Sequence, residues 1–528
     1  MAVTRRRLLQ KLAQIAGTAA VYQGLAAWDL LRGSPAMAKS ALPSGKGKSV
    51  VILGAGVSGL CAAYELDRAG YTVTVLEASQ RTGGRSLTLR RGDRFREIGM
   101  TEQECRFDEG LYLNAGPGRI PHHHTHVLEY CRRFGVALQP YIFESRANLV
   151  HSSTLGNGGT VQTRRPLYDL QGHVAELLDN CVSGPALNQL VKTSELESFR
   201  EMLAQFGGLT KVTRDGKVAY VYRNERGLAG YEIPPGIANQ PGKPLSPMGL
   251  DEILRSQVWN DYIYRDNAYF WQSSLMEPVG GMDHFFRAFL RQPARSGGTI
   301  QRLVRLNAPV SGIEVGNDKV VVAYKRAGKA ATLTADYCIS TIPVPIFKNL
   351  RTNLPVAYMD AARKLQVMTG GKVGWQAERF WERKDQIFGG ISWTTDPITQ
   401  IWYPSSDFFS HKGVLTGAYM YGPPAEKFNA QPVAERLRQA REQGEKLHPG
   451  YGKMVEHGVA IGWNNMEFSR MSWADETDPA FGQNAQVLSE PQGRFVMAGD
   501  QLTYWSGWQE GAIISAHAAI TAITRLNS

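Results

Sequence analysis

The rhythm of apolar and polar positions changes several times along the chain, and each change predicts an element. Val50 to Leu53 is a short apolar run bounded by glycine, and Leu60, Ala63, Tyr64 and Leu66 follow with helical spacing. Thr72 to Leu76 is a second strand-like run that ends at Glu77. Strand, helix and strand in that order predict a β-α-β unit. Further on, "PVGGMDHFFRAFL" reads as a helix and "LNAPVSGIEVGNDKVVVAY" as a hairpin. Val414 to Tyr421 reads as a period-two strand, and Arg494 to Ala498 as a strand before a helix opened by "SGWQEG". From about 159 to 271 strand alternation is lacking, and "HVAELLDNCV" and "ELESFREMLAQFG" carry helical runs. No internal repeat occurs.

The glycines add chemistry to the first unit. Gly54, Gly56 and Gly59 stand where the strand turns into the helix, with Gly56 allowing a pyrophosphate to approach the helix N-terminus. Glu77, about twenty residues on, is placed for a ribose hydroxyl. A lone glycine fingerprint says little, but strand, helix, second strand and acid in register predict a dinucleotide site. A second glycine turn, Gly83 and Gly84 followed by Arg85, can bring another cation and more N–H groups to the same phosphates. A third, "GPGRIPHHH", holds Arg119 on a rigid turn. A guanidinium so held grips a planar anion: a phosphate, a structural carboxylate such as Asp108 or Glu109, or a substrate carboxylate.

Length and composition bound these readings. The 528 residues call for two or three domains, and 43% hydrophobic with 20% charged residues describes an ordinary globular protein. The net charge of +11 is dispersed, with no nucleic-acid-binding signature, so it describes either a field for small anions or a surface charge with no partner, and no nucleic-acid partner is expected. The five cysteines, Cys61, Cys105, Cys131, Cys181 and Cys338, are widely spaced and predict neither a disulfide framework nor a zinc site. His122 and His126, four apart, can in principle bind a metal, yet no acidic or cysteine ligand is near; a solvated helix start is the better account, and no metal is assigned. His124 is given no role. "TRRRLLQK", the apolar stretch from Leu12 to Leu31 and "AMA" ending at Ala38 fit a twin-arginine export segment over 1–38, which predicts a periplasmic or secreted protein. No other stretch is apolar and long enough to span a membrane.

These motifs together resemble the flavin amine oxidase family. "EASQRTGGRS" resembles the family's second glycine run, and "GRFVMAGDQLTYWSGWQEGAIISAHAAI" its closing motif. The resemblance implies FAD, with Gly54, Gly56, Gly59, Glu77, Gly84 and Arg85 on the dinucleotide, Val310 touching the adenine, Asp500 taking a ribityl hydroxyl, and Gly507 and Trp508 at the flavin. Asp500 is shorter than the glutamate many members carry there. With no cysteine beyond Cys338, the flavin is expected to be non-covalent.

The Arg119 segment resembles that of the L-amino-acid oxidase branch, which implies that Arg119 binds the substrate carboxylate. Tyr419 shares it by the same resemblance, with Tyr421 on the same strand face as the competitor. Lys372, in "TGGKVGWQAERFW", aligns with a lysine that holds a water near flavin N5. Trp463 and Trp508 match the pair that confines the amine, and Trp473 and Trp505 with Tyr421 enlarge an aromatic pocket that favours large or flat side chains and can also accept a cationic one. The implied reaction takes an L-amino acid and O2 to a 2-oxo acid, ammonia and hydrogen peroxide. A decarboxylating amino-acid monooxygenase and an amine oxidase remain open beside it, as does a homodimer.

The expected class is α/β, an amine oxidase or glutathione-reductase-like fold. A Rossmann-type FAD-binding domain is assigned to 46–95, 272–365 and 485–528. A mixed-sheet substrate domain takes 96–158 and 366–484, and a helical insertion 159–271.

Overall fold

A computed structural model describes residues 44–526 apart from 157–158, 183–190, 215, 261, 266–268 and 270. The twin-arginine segment lies outside the described residues. The N-terminal apolar runs become the middle of a five-stranded parallel sheet. Its order is Val304–Arg305, Thr72–Leu76, Ser49–Leu53, Tyr337–Ser340 and Phe495–Met497. Both faces are covered, which explains the unbroken apolar runs. Val50, Ile52 and Ile339 pack with the helices Val57–Arg68, Asp283–Arg291 and Gln509–Leu526. Val51, Leu53 and Cys338, one position along each strand, enter a second core with Ile313, Val320 and Val322. Those residues belong to the strands Val310–Val315 and Val320–Arg326, which pair antiparallel as the predicted hairpin.

A seven-stranded mixed sheet forms the other half. Gly370–Glu378 runs between Val455–Gly462 and Lys412–Tyr421, and all but the last of its positions are buried. The register sets Lys372 opposite both Tyr419 and Ile461, and Gly371 opposite Gly462, just before Trp463. One end of this sheet therefore gathers Lys372, Tyr419 and Trp463. A short antiparallel pair, Thr88–Arg90 with Tyr112–Asn114, leads from the second glycine turn to the third.

The 159–271 stretch departs from its helical expectation. Besides the helices Arg164–Cys181, Leu196–Gly207 and Leu250–Ser256, it holds two hairpins, Thr210–Arg214 with Lys217–Val221 and Tyr231–Ile233 with Lys243–Pro244. Tyr231–Ile233 is exposed at every position, so no buried face imposes an apolar alternation on its sequence. The domain limits shift as well. Thr160–Gln162 is the edge strand of the seven-stranded sheet, and Ser274–Pro278 pairs with Leu138–Ile142 instead of joining the parallel sheet. No described helix is long and apolar enough to cross a membrane.

Candidate active site

A single cavity of about 1120 Å³ runs from the first glycine turn to the end of the mixed sheet. That is larger than the ~300–1,000 Å³ usual for one drug-sized ligand, and its length suits a dinucleotide followed by a small substrate. Every residue named from sequence as a candidate borders it except Gly59 and Trp505.

The first end is built on the β-α-β unit. The helix Val57–Arg68 starts at Gly56 with no acidic residue in its first turn, so its positive end meets the cavity uncompensated. The space a Cβ on Gly56 would fill is open, which is what a close pyrophosphate requires. Gly59 has the other duty: a Cβ there would stand 2.0 Å from the Gly54 carbonyl oxygen, so it lets helix and strand approach and does not face the cavity. The second turn docks on the first, with Gly83 N–H donating to the Ala55 carbonyl at 2.8 Å. Glu77 is buried, accepting from the Ala55 N–H at 2.7 Å and from the Ser79 N–H and hydroxyl at 2.9 and 2.8 Å. Ala308 N–H donates to the Glu77 carbonyl, which brings Val310 to the same end. These features fit a dinucleotide.

Arg85 and Asp500 had separate targets in the sequence reading; the structure pairs them. Arg85 Nη1 donates to Asp500 Oδ2 at 3.0 Å and to the Ser472 carbonyl at 2.6 Å, and its Nη2 closes a two-point contact on Oδ1. The Gly507 N–H also reaches Asp500, at 2.9 Å. The carboxylate is thus held by a cation and a backbone donor, and its shortness is met by Arg85 reaching toward it.

At the far end Arg119 has a different setting. No carboxylate pairs with it among the described residues, neither Asp108 nor Glu109 included; Asp108 instead faces Lys412 at 3.0 Å. The Arg119 Nε has no hydrogen-bond partner. Its Cζ stands over the rings of Trp402 at 4.4 Å, Trp271 at 4.6 Å, Phe143 at 5.3 Å and Trp508 at 6.0 Å. Burial among these rings lowers its pKa, though a guanidinium remains a cation. Tyr419 and Tyr421 have rings 6.0 Å apart, and the Tyr421 hydroxyl accepts from the Arg265 guanidinium at 3.3 Å. Burial pushes the Tyr419 phenol up to about 12, against the pull of Arg119, so it is a hydrogen-bond donor at any ordinary pH.

Lys372 is buried, and its Nζ donates to the carbonyls of Asn114 at 3.0 Å and Gly116 at 2.6 Å. Desolvation, with Arg119 nearby, holds its pKa well below the ordinary lysine value. Trp463 donates its Nε1–H to the Ala115 carbonyl at 2.9 Å. Trp508 packs on Trp271 and His124, and Trp473 lies 6.1 Å from the Tyr421 ring.

Two expectations are corrected here. Trp505 does not line the cavity; its ring packs on His123 and His124. The helix after the histidines begins at Thr125, so His122 and His126 do not share it, and the half-buried His126 meets Glu510 at 2.7 Å. His124 is buried against Trp505 and Trp508, where desolvation drops its pKa to about 3. No group of three candidate metal ligands occurs among the described residues. Sequence reading missed Phe143, Arg265, Trp271, Trp393, Gln400 and Trp402 as wall residues. Gln400 and Trp402 were detectable only as alternate positions of one strand, where Gln400 Oε1 accepts from the Trp402 Nε1–H at 2.7 Å.

Comparison with known proteins places this geometry. The family model described as flavin containing amine oxidoreductase matches residues 57–524. An L-amino-acid oxidase of Protobothrops flavoviridis is 28% identical over 486 residues, covering 90% of this chain and 89% of that protein. A flavin-dependent L-tryptophan oxidase of Lentzea aerocolonigenes is 25% identical over 504 residues, covering 90% and 98%. Among solved structures, a cyclohexylamine oxidase from Brevibacterium oxydans has a TM-score of 0.58 at 17% identity, over 90% of this chain and 99% of its own. A putrescine oxidase gives 0.57 at 17% identity, over 90% and 98%. At such identity the structural likeness concerns the fold alone.

Proposed function

The chain belongs to the flavin-containing amine oxidoreductases, and from that premise we propose that it is an L-amino-acid oxidase using non-covalent FAD. The observation that carries this reading is Arg119. A desolvated guanidinium without a carboxylate partner, on the wall of the substrate end, is complementary to an α-carboxylate. An amine substrate offers nothing to neutralise it. The two L-amino-acid-specific relatives support the same class. None of the five cysteines lines the cavity, which supports a non-covalent flavin.

FAD, when bound, supplies the two-electron acceptor. Arg119 and the Tyr419 hydroxyl hold the carboxylate, which fixes one end of the substrate and turns its Cα hydrogen toward the cofactor. Trp463 and Trp508 confine the amine, and the tryptophan-lined wall excludes water from the reacting atoms. The protein needs no nucleophile; orientation and charge complementarity are its contribution. The aromatic walls favour large side chains by contact area. Imino acid released to water hydrolyses to a 2-oxo acid and ammonia, and oxygen is reduced to hydrogen peroxide. Export of the folded, loaded protein through the twin-arginine segment completes the reading.

The test is a screen of L-amino acids and their matched amines with anaerobic bleaching and product analysis as readouts. Bleaching by L-amino acids, with peroxide and 2-oxo acid formed in air, is expected. Amide and carbon dioxide as products would identify a monooxygenase, and bleaching by amines alone would remove the amino-acid reading.

A further inference from the structure

Lys372 stands where the two halves of the carboxylate site meet. On one side it lies directly opposite Tyr419 in the mixed sheet, with its Nζ 5.1 Å from that ring's centre. On the other its Nζ reaches two carbonyls of the strand end and turn that carry Arg119, Asn114 at 3.0 Å and Gly116 at 2.6 Å. Beyond Asn114 the turn has no pairing until Ile120, which forms an isolated antiparallel bridge with Met276 through hydrogen bonds of 2.7 and 3.0 Å just after Arg119. Its other tethers are the Ala115 and Gly116 N–H groups on the Leu87 carbonyl and the Trp463 indole on the Ala115 carbonyl. Gly116 itself must be glycine, since a Cβ would stand 1.9 Å from the Arg85 carbonyl oxygen. The ring of Trp402 lies 4.6 Å from Lys372 Nζ and 4.4 Å from Arg119 Cζ, so one indole is shared by both side chains.

We propose that Lys372 is a positioning residue that fastens the Arg119 turn to the Tyr419 strand, and so sets how tightly an α-carboxylate is held. The proposal rests on the amino-acid reading of the site. It uses the two N–H donors of Lys372, which the ammonium and the neutral amine both possess, so the fastening survives loss of the charge. It differs from the role implied by resemblance, a water holder near flavin N5, because its effect falls on carboxylate binding and not on the reaction with oxygen. Distance from the carboxylate does not weaken the argument: a guanidinium that must meet two oxygens in a fork loses the pairing when its backbone shifts by a fraction of an ångström.

The experiment compares Lys372→Met with the parent holoenzyme in three measurements. These are benzoate binding by flavin absorbance, anaerobic reduction by an L-amino acid and by its matched amine, and reoxidation by oxygen. Losing the two bonds is expected to raise the benzoate Kd and the amino-acid half-saturation by about 10- to 100-fold. Half-saturation by the amine should stay within about threefold, because it lacks the group Arg119 holds. Lys372→Arg, which restores two donors, should recover most of the loss. If Lys372→Met does not retain flavin, Lys372→Gln, too short to reach both carbonyls, is measured in its place. Unchanged benzoate and amino-acid binding, an equal loss for amine and amino acid, or a loss confined to the oxygen reaction overturns the proposal. If the parent is reduced by no L-amino acid, the functional reading falls and this one with it; if the parent is reduced and the variant binds carboxylates as well as the parent, only the fastening role is lost.

Discussion

Arg85 and Arg119 each follow a glycine turn at the wall of one cavity, and the turns touch, since Gly116 packs against the Arg85 carbonyl. Their surroundings differ completely. Arg85 meets Asp500 at two points and the Ser472 carbonyl at a third, so its charge is neutralised within the protein. Arg119 is surrounded by Trp402, Trp271, Phe143 and Trp508, whose π faces soften its desolvation without cancelling its charge. A buried cation without a counter-ion costs stability, and a site that keeps one is organised for an anion that arrives later. Glycine turns with arginine are thus two different devices in one molecule: one joins the protein to itself, the other is left for a ligand.

The largest effects should separate the two arginines. Arg119→Met keeps the aliphatic length and removes the fork. It should lower kcat/KM for L-phenylalanine by about 30- to 1000-fold, the worth of some 2–4 kcal/mol of charged hydrogen bonding. Phenethylamine should be affected far less, and flavin content should not change. Arg85→Met should do the reverse, since it strands a buried Asp500 beside the closing motif. Part of Arg85 is solvent-exposed, so a stability loss of about 1–3 kcal/mol is expected, seen as a lower Tm and weaker flavin retention with the amino-acid KM little altered. Equal profiles for the two variants would erase the contrast.

A medium-sized effect follows from the desolvation that surrounds Arg119. His124, five residues on, has its pKa dropped to about 3 by burial, while an unfolded chain would take the proton near 6.5. Below about pH 6.5 the unfolded state therefore binds a proton that the fold refuses, and stability falls as pH falls toward about 3. At pH 6 the loss is about 1 kcal/mol from this residue. His124→Phe keeps a ring against Trp505 and Trp508 and removes the titration. Its Tm should track the parent's above pH 7 and decline less steeply below pH 6.5; parallel curves would show that this region is wetter than its burial indicates.

How much of this was legible in the sequence depends on how local the signal is. Val50 to Glu77 could be read almost to the residue, because glycine spacing and apolar runs are properties of adjacent positions, and the strands are Ser49–Leu53 and Thr72–Leu76. Arg119, Lys372 and Tyr419 were nameable from short motifs and do converge at one end of the cavity. The wall made by Phe143, Trp271, Trp393 and Trp402 was not, since three segments far apart in the chain supply it, Trp393 and Trp402 coming from one strand pair, and aromatic residues elsewhere look the same. His124 had no role in the sequence because the residues that bury it, Trp505 and Trp508, lie near the other end of the chain. The Tyr231–Ile233 hairpin escaped notice for the opposite reason: a strand exposed on both faces leaves no periodic trace.

The smallest expected effect concerns Tyr419 and Tyr421, which occupy alternate positions of one strand and which spacing alone does not distinguish. The structure separates them by their cations. The Tyr421 hydroxyl accepts from Arg265, whereas Tyr419 feels Arg119 first and Arg265 less, and stands opposite Lys372 in register. Tyr419→Phe deletes one donor to the carboxylate and leaves the guanidinium in place, so kcat/KM for an L-amino acid should fall by about 5- to 10-fold, near 1 kcal/mol. Tyr421→Phe should change it by no more than about twofold, because the Tyr421 hydroxyl is held as an acceptor by Arg265 and is not positioned by Arg119. The parent's Tyr419 stays protonated up to about pH 12, so the ratio between parent and Tyr419→Phe should be flat from pH 6 to 10. A ratio that collapsed toward pH 10 would mean that the phenol ionises there, and that its hydroxyl is less buried beside Arg119 than the structure places it. A larger loss in Tyr421→Phe than in Tyr419→Phe would reverse the assignment, and would move the carboxylate from Arg119 to the Arg265 side of the strand.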